Sequence, residues 1–265
     1  MMSTGWPGKM RRNDMKKDGA RVHRVGAAAV IIASAIMGMV AYTGSQAQLP
    51  DYVDTALVVS VDVSNSVDAE RYKLQMEGIA QALEDPTVQK AILNGPNASI
   101  LFSMVTWADK PRQVIGWERI SSAAEAAAVA AKVRALPRQT GEFTCLSAML
   151  RTVSDKVVSQ IPAKPFRTIV DVSGDGRENC NPQEPSTRVR DELAASGVTV
   201  NGLPILEGDE GETLEPWYRE NVMGGPGAFV LPADGFEDFG RAIRQKFIIE
   251  ISGISDPQKH ASRRD

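Results

Sequence analysis

Five oxygen-bearing side chains stand at positions from which they could act together: Asp62, Ser64, Ser66, Thr144 and Asp175. The first three form Asp62-Val63-Ser64-Asn65-Ser66, a carboxylate and two hydroxyls at alternate positions directly after the apolar run Val58-Val59-Ser60-Val61. Asp175 lies in Ser173-Gly174-Asp175-Gly176, where flanking glycines let the backbone turn tightly. Thr144 closes a polar loop just where a helix begins. Oxygen donors without imidazole or thiolate make a hard-cation site, suited to Mg²⁺ first and also to Mn²⁺ or Ca²⁺. Because Mg²⁺ rarely receives a complete protein cage, an open coordination position is expected. Taken alone, Asp-x-Ser-x-Ser equally describes a helix-capping turn after a strand, since Asp and Ser satisfy helix N-terminal amides without metal.

The elements needed to bring the five groups together can be read from apolar periodicity. Residues 56–63 are a nearly continuous β-branched run, the pattern of a parallel strand buried on both faces. Ser66 or Asp68 can then cap a helix to about Leu83, with Tyr72, Met76, Ile79 and Leu83 on one face. After the turn Asn94-Gly95-Pro96-Asn97, residues 99–107 and 113–117 are joined too tightly for a parallel crossover, so they are expected as an antiparallel hairpin at the sheet edge. Ser122 and Glu125 form a capping box for an Ala-rich helix that Pro137 ends, and a helix bearing Leu146, Met149, Leu150, Val153 and Val157 follows Thr144. Strands are expected at 166–172, 198–203 and 228–231, with a helix after Pro185 and a last helix capped by Asp234 and Glu237. Residues 207–226 read as a surface excursion with a short helix at 214–221. The fold class is α/β: a doubly wound, mostly parallel sheet with one antiparallel edge strand and helices on both faces. In such sheets ligands bind beyond the carboxyl ends of the strands, where strand order reverses, and there Asp62, Ser64, Ser66 and Asp175 would lie with Thr144 beside them.

Composition removes several classes of function. Residues 1–47 read as an export signal: Lys9, Arg11, Arg12, Lys16, Lys17, Arg21 and Arg24 precede an apolar run at 25–42, and Ser45-Gln46-Ala47 fits a cleavage site. An uncleaved anchor is the alternative, because a membrane span needs ~17–25 apolar residues. Either way the remainder is exported, periplasmic or secreted, with membrane contact only through the N-terminal segment. Residues 48–252 form the domain and 253–265 a polar tail. Residues 1–47 hold seven of the 30 Lys and Arg and two of the 33 Asp and Glu, so the remainder carries 23 basic against 31 acidic residues, a formal charge of −8. That excludes nucleic acid as a partner. The two histidines, His23 and His260, lie in the signal and the tail. A Ser-His-Asp triad, a His-ligated zinc site and a histidine general base are therefore excluded from the domain.

With Asp62-x-Ser64-x-Ser66, Thr144 and Asp175-Gly176 in this order, the domain resembles von Willebrand factor type A domains with their metal-ion-dependent adhesion site. More narrowly, Val170-Asp171-Val172-Ser173-Gly174-Asp175-Gly176 and the signal-bearing layout resemble the proteobacterial domain-of-unknown-function 1194 group. The resemblance implies a metal at the upper rim of the sheet. It implies that Ser64 and Ser66 bind the ion directly, that Thr144, Asp62 and Asp175 bind directly or through water, and that a carboxylate from a partner protein fills the open position. Two features depart from the family pattern. The threonine loop reads Thr140-Gly141-Glu142-Phe143-Thr144 instead of a Gly-Gly-Thr form, which leaves Thr140 as an alternative ligand, and Gly174 stands where many relatives have threonine.

Cys145 and Cys180, the only cysteines, each lie within five residues of a proposed ligand. In an exported protein they read as a disulfide joining the two ligand loops, worth about 3–4 kcal/mol; two unrelated buried thiols are the alternative. Asp68, Asp171 and the acidic residues at 207–215 are explained by a solvated cap and a surface loop.

The function expected is a non-enzymatic, adhesion-type protein-binding module that captures an acidic group through the cation. A metal-dependent hydrolase using Asp62 or Asp175 is the competing class. Against it, no Gly-x-Ser-x-Gly elbow is present, and Ser64 stands where an aspartate-nucleophile phosphatase has its second acid. A structural envelope protein with an unused site is the third reading.

Overall fold

The computed structural model describes residues 51–180, 183–208 and 210–253. The export segment expected at 1–47 and the tail beyond Gly253 lie outside the described residues. Among the described residues no helix is long and apolar enough to cross a membrane.

β1 (Tyr52–Asp62) is buried from its second residue onward and pairs in parallel with β2 (Ile100–Trp107) on one side and β4 (Lys164–Gly174) on the other. Its unbroken β-branched run follows from that central place, where both faces meet helices. β3 (Arg112–Ile120) returns antiparallel along β2, and β5 (Val198–Pro204) continues in parallel beside β4, giving the order β3-β2-β1-β4-β5. The chain winds outward from β1 to the β2–β3 edge and comes back to β4 on the opposite side. Strand order therefore reverses between β1 and β4.

The helices are α1 (Ala69–Glu84), α2 (Pro86–Leu93), α3 (Ala123–Arg134), α4 (Leu146–Thr152), α5 (Ser186–Ala195), α6 (Gly211–Asn221) and α7 (Phe239–Ser252). Odd-numbered Leu57, Val59 and Val61 of β1 pack with Met76, Ile79, Leu83, Val129, Phe239 and Phe247 from α1, α3 and α7. Even-numbered Val58 joins Val170, Val172, Met149, Leu150, Leu193, Leu214 and Tyr218 on the face covered by α4, α5 and α6. The period of two along a strand thus sorts one sequence run into two cores.

Several elements differ from the sequence reading. Helix α2 was not anticipated, although Asp85-Pro86 carries its signal: the Asp85 carboxylate accepts from Thr87 N (2.8 Å) and Val88 N (3.2 Å), and proline suits the first helical position. Residues 207–226 are less a surface excursion than expected. Helix α6 is three residues longer than its predicted core and buries Leu214 and Tyr218, leaving its acids outside. The strand expected at 228–231 is reduced to isolated bridges, Gly202 with Val230 and Ile205 with Ala233. Helix α7 begins only at Phe239, because Asp234 N donates to Asp238 Oδ2 (2.9 Å) and holds a turn ahead of it. Beyond α4 the apolar face carrying Val153 and Val157 continues through a π-helical turn, Val153–Val157.

Asp171 is the largest correction outside the site, since it is neither a solvated cap nor a loop residue. It is buried within β4, with Lys246 Nζ 3.3 Å from its Oδ1 and 3.0 Å from Glu250 Oε1, ion-pair distances without hydrogen-bond angles. Lys246 and Glu250 are equally buried in α7, Asn201 Nδ2 donates to Glu250 Oε1 (2.8 Å), and Lys246 Nζ lies 4.2 Å from the Phe229 ring centre. Burial, and then the Glu250 charge, push the Asp171 carboxyl well up, with Lys246 opposing.

Candidate functional site

The five side chains singled out in the sequence meet at the carboxyl end of the sheet. Asp62 ends β1, in register with Trp107 of β2, while Val61 pairs with Ser173 and so brings Asp175 alongside. Beyond the strand the chain folds back on the Asp62 carboxylate, whose Oδ1 accepts from Ser64 N at 2.7 Å. That turn places Ser64 Oγ 3.2 Å from Ser66 Oγ and 3.4 Å from Thr144 Oγ1, and Ser66 Oγ donates to Asp175 Oδ1 at 2.9 Å. Asp68 then caps α1 through Glu70 N and Arg71 N, so the capping role and the gathered oxygens belong to different residues. Thr140, the alternative threonine, is exposed and lines a separate cavity with Arg138 and Gln139.

Burial is graded across the set. Asp62 is fully buried, Ser64 and Thr144 nearly so, Asp175 half-buried and Ser66 exposed, so the oxygens sit at the bottom and side of a mouth that opens outward. Asp62 Oδ2 is buried with no hydrogen-bond partner among the described residues. Burial, and then the charge of Asp175, push the Asp62 carboxyl up from 3.8 to about 7, with the Ser64 hydrogen bonds opposing. Burial also raises Asp175, opposed by the Ser66 hydrogen bond and by Arg71. An orphaned carboxylate oxygen, a second acid beside it and three hydroxyls fit a hard divalent cation, which would supply the missing partner and separate the two negative charges. Among the described residues no three His, Cys, Asp or Glu side chains form a metal-type cluster, so the donor set is hydroxyl-rich and only two carboxylates offset the cation charge.

The surrounding loops are tied to one another. Cys145 and Cys180 form a disulfide with Cα atoms 5.1 Å apart, joining the Thr144 loop to the loop after Asp175. Thr144 N donates to Asn179 Oδ1 (2.8 Å), Asn179 N donates back to Thr144 O (3.2 Å), and Glu178 Oε1 accepts from Ser147 N (2.9 Å) in the first turn of α4. Glu178 supplies the capping acceptor that Cys145, at the N-cap of α4, does not. Arg71 Nη1 donates to Ser66 O (2.6 Å) while Arg71 pairs with Glu207, and Gln75 Nε2 donates to Asp62 O (3.3 Å). None of Asn179, Glu178, Arg71 and Gln75 stood out in the sequence, where they carry no motif; the i, i+4 spacing of Arg71 and the buried Gln75, beside the Tyr72 stripe, is the one available hint.

Gly174 has a reason specific to this chain. A Cβ there would lie 2.8 Å from the Tyr218 hydroxyl, 3.0 Å from Asp62 Oδ2 and 3.1 Å from Asp62 Cβ. Tyr218, buried in α6, thus occupies space that a side chain at position 174 would need, and it walls the inner side of Asp62. Its phenol is raised well above 10 by burial and by Asp62, Asp175 and Asp171, so it stays a neutral hydroxyl beside the acids.

Solved structures share this architecture at low identity. Proximal thread matrix protein 1 from the mussel byssus has a TM-score of 0.55 at 16% identity over 77% of this chain and 48% of that one, and another structure of it has a zinc-occupied MIDAS motif. The von Willebrand factor type A protein from Catenulispora acidiphila gives 0.54 at 15% identity, over 75% and 43% of the two chains. The pilus adhesin SpaC from Lactobacillus rhamnosus GG gives 0.57 at 13% identity, over 76% and 31%. This chain spans about half the length of the first protein and less of the other two, and identities this low establish the fold alone. No curated protein matches the sequence. The family profile described as "Protein of unknown function (DUF1194)" matches residues 52–255, and with the von Willebrand factor type A fold around the gathered oxygens it shows that the chain belongs to the DUF1194 family.

Proposed function

We propose that the protein is an exported, metal-dependent binding module in which Asp62, Ser64, Ser66, Thr144 and Asp175 hold a divalent cation, Mg²⁺ by preference, that captures a carboxylate of a partner protein. The observation that carries the reading is the unpartnered, fully buried Asp62 Oδ2 among four further oxygens at the strand-order reversal. When bound, the cation would offer its remaining position to an incoming acid. Within the chain, Asp62 and Asp175 supply the charge that retains it, and the Ser64, Ser66 and Thr144 hydroxyls add donors without neutralising it further. Arg71 fixes the Ser66 carbonyl, Asn179 and the disulfide fix Thr144, and Tyr218 keeps water from the back of Asp62. The mussel and pilus proteins of like fold support an adhesion role by analogy.

The burial of Asp62 favours binding over catalysis. It is the carboxylate whose proton affinity suits a general base near neutral pH, yet an arriving substrate would meet the hydroxyls first. Calorimetric titration of the protein with Mg²⁺ and Mn²⁺ tests the site: binding in wild type and its loss in Asp62→Ala are expected, and unchanged binding in the variant refutes the assignment. Turnover of generic phosphate or ester substrates that disappears in Asp62→Asn would establish a hydrolase instead.

A further inference from the structure

A second cavity opens on the same rim, on the side of the β2–β3 hairpin. It has a volume of about 470 Å³, and its wall includes Val63, the residue between Asp62 and Ser64 in the chain. Lys110, Arg112 and Arg138 line it, and among the described residues none of the three lies within 4.0 Å of a carboxylate oxygen. Asp109, the acid in the lining, is engaged by the backbone of the neighbouring loop: its carboxylate accepts from Glu142 N (3.1 Å) and Phe143 N (2.8 Å). Thr106 adds a buried hydroxyl with no hydrogen-bond partner among the described residues. The wall is built rather than incidental. A Cβ at Gly141 would lie 2.6 Å from Ala108 Cβ, so the loop that delivers Thr144 closes tightly over the hairpin, and Arg138 Nη2 donates to Val67 O (2.7 Å) next to Ser66.

Across the site the sign is opposite. A cavity of about 510 Å³ beside α1 and the start of α7 is lined by Asp68, Glu70, Glu207, Asp234 and Glu237, and its one cation, Arg71, is already paired with Glu207. In a chain of net negative charge, three unpaired cations gathered around one cavity make a local anion site. An acidic segment bound at the centre would be drawn toward the hairpin and repelled from the α7 side.

We propose that the cavity of Lys110, Arg112, Arg138 and Thr106 is a second anion subsite, taking one carboxylate of the acidic segment whose other carboxylate is captured at the cation. The partner is then recognised as a pair of acidic side chains. The pairing rests on the function proposed above; the cavity's own affinity for an acidic peptide does not.

The test uses the full chain, freed of metal on a chelating resin and then with Mn²⁺ restored, in calorimetric titrations with hexa-aspartate and with a capped peptide bearing a single aspartate. Metal-free wild type should bind hexa-aspartate, and Lys110→Gln/Arg112→Gln should bind it about tenfold more weakly, the effect of removing two exposed charges facing an anion. With Mn²⁺, wild type should prefer hexa-aspartate over the single-aspartate peptide, and the double variant should lose that preference while keeping its Mn²⁺ affinity. Equal hexa-aspartate affinity in wild type and double variant, with and without metal, overturns the proposal. So does an equal loss in Lys156→Gln/Lys164→Gln, which removes two exposed charges elsewhere. Inorganic phosphate binding more tightly than hexa-aspartate to metal-free wild type overturns the carboxylate assignment in favour of a phosphate. Asp62→Ala separates the two readings: retained Mn²⁺ binding refutes the cation site, while metal-free hexa-aspartate binding in that variant continues to report on the cavity.

Discussion

Replacing Asp62 by Asn removes one buried charge and keeps the shape, since an amide oxygen can still accept from Ser64 N. In the metal-free protein the Asp62 carboxyl is raised from 3.8 to about 7. The folded chain therefore holds its proton where the unfolded chain has released it, and the group's contribution to stability falls as pH rises through that interval and levels off above about 7. A shift of this size corresponds to about 4 kcal/mol. Asp175, Glu178 and Asp171 are raised as well and add pH dependence of their own. The informative quantity is thus the stability of Asp62→Asn minus that of wild type, measured by urea denaturation of metal-free protein at intervals from pH 4 to 8. That difference should grow in favour of the variant by several kcal/mol across the range. Adding Mg²⁺ at pH 8 should narrow the difference, because a ligand at a hundred times its dissociation constant stabilises only the protein that binds it, by about 2.7 kcal/mol. A difference flat with pH would refute the buried-charge account, and equal Mg²⁺ stabilisation of both proteins would refute the cation site.

Reducing the Cys145–Cys180 bridge, or replacing both cysteines by serine, opens a 35-residue span and should cost about 4 kcal/mol, read in calorimetry as a melting temperature lower by about 8–16 °C. Gly174→Ala should destabilise by about 1–3 kcal/mol through overpacking, and Tyr218→Phe in the same chain, which removes the atom nearest the new methyl, should recover part of that loss in urea denaturation. Lys246→Met leaves Asp171 and Glu250 buried without a cation and should cost about 3–5 kcal/mol at pH 8, with a smaller loss as pH falls and the raised Asp171 carboxyl binds its proton; a loss independent of pH would count against the ion triad.

The oxygens of the candidate site were legible because each stands at a strand end or helix start, positions that apolar runs and glycines mark directly. Ser173-Gly174-Asp175-Gly176 announces itself by composition, and the cysteines by their closeness to Thr144 and Asp175. The inner wall was not legible. Tyr218 comes from the short helix expected within a surface excursion, and only the spacing of Leu214 and Tyr218 by four hints at a buried face. Asn179 and Glu178 act through backbone amides of residues over thirty positions away, and no local pattern encodes such a bond. Asp171 misled for a related reason: an acid in an apolar strand has meaning only with Lys246, and nothing in either segment names the other.

Lys246, Asp171 and Glu250 also bear on where the last helix stops. The apolar stripe of Phe239, Ile243 and Phe247 repeats every four residues, so sliding α7 by one turn along the sheet would seat each side chain in its neighbour's former place. Greasy surfaces of that kind tolerate more than one alignment. A slide of one turn, about 5.4 Å, would carry the lysine away from Asp171 and strand ionised groups in a dry interior. The triad therefore works as a peg in a slotted rail and, with the close approach of Gly240 to Gly78, admits one position of the helix.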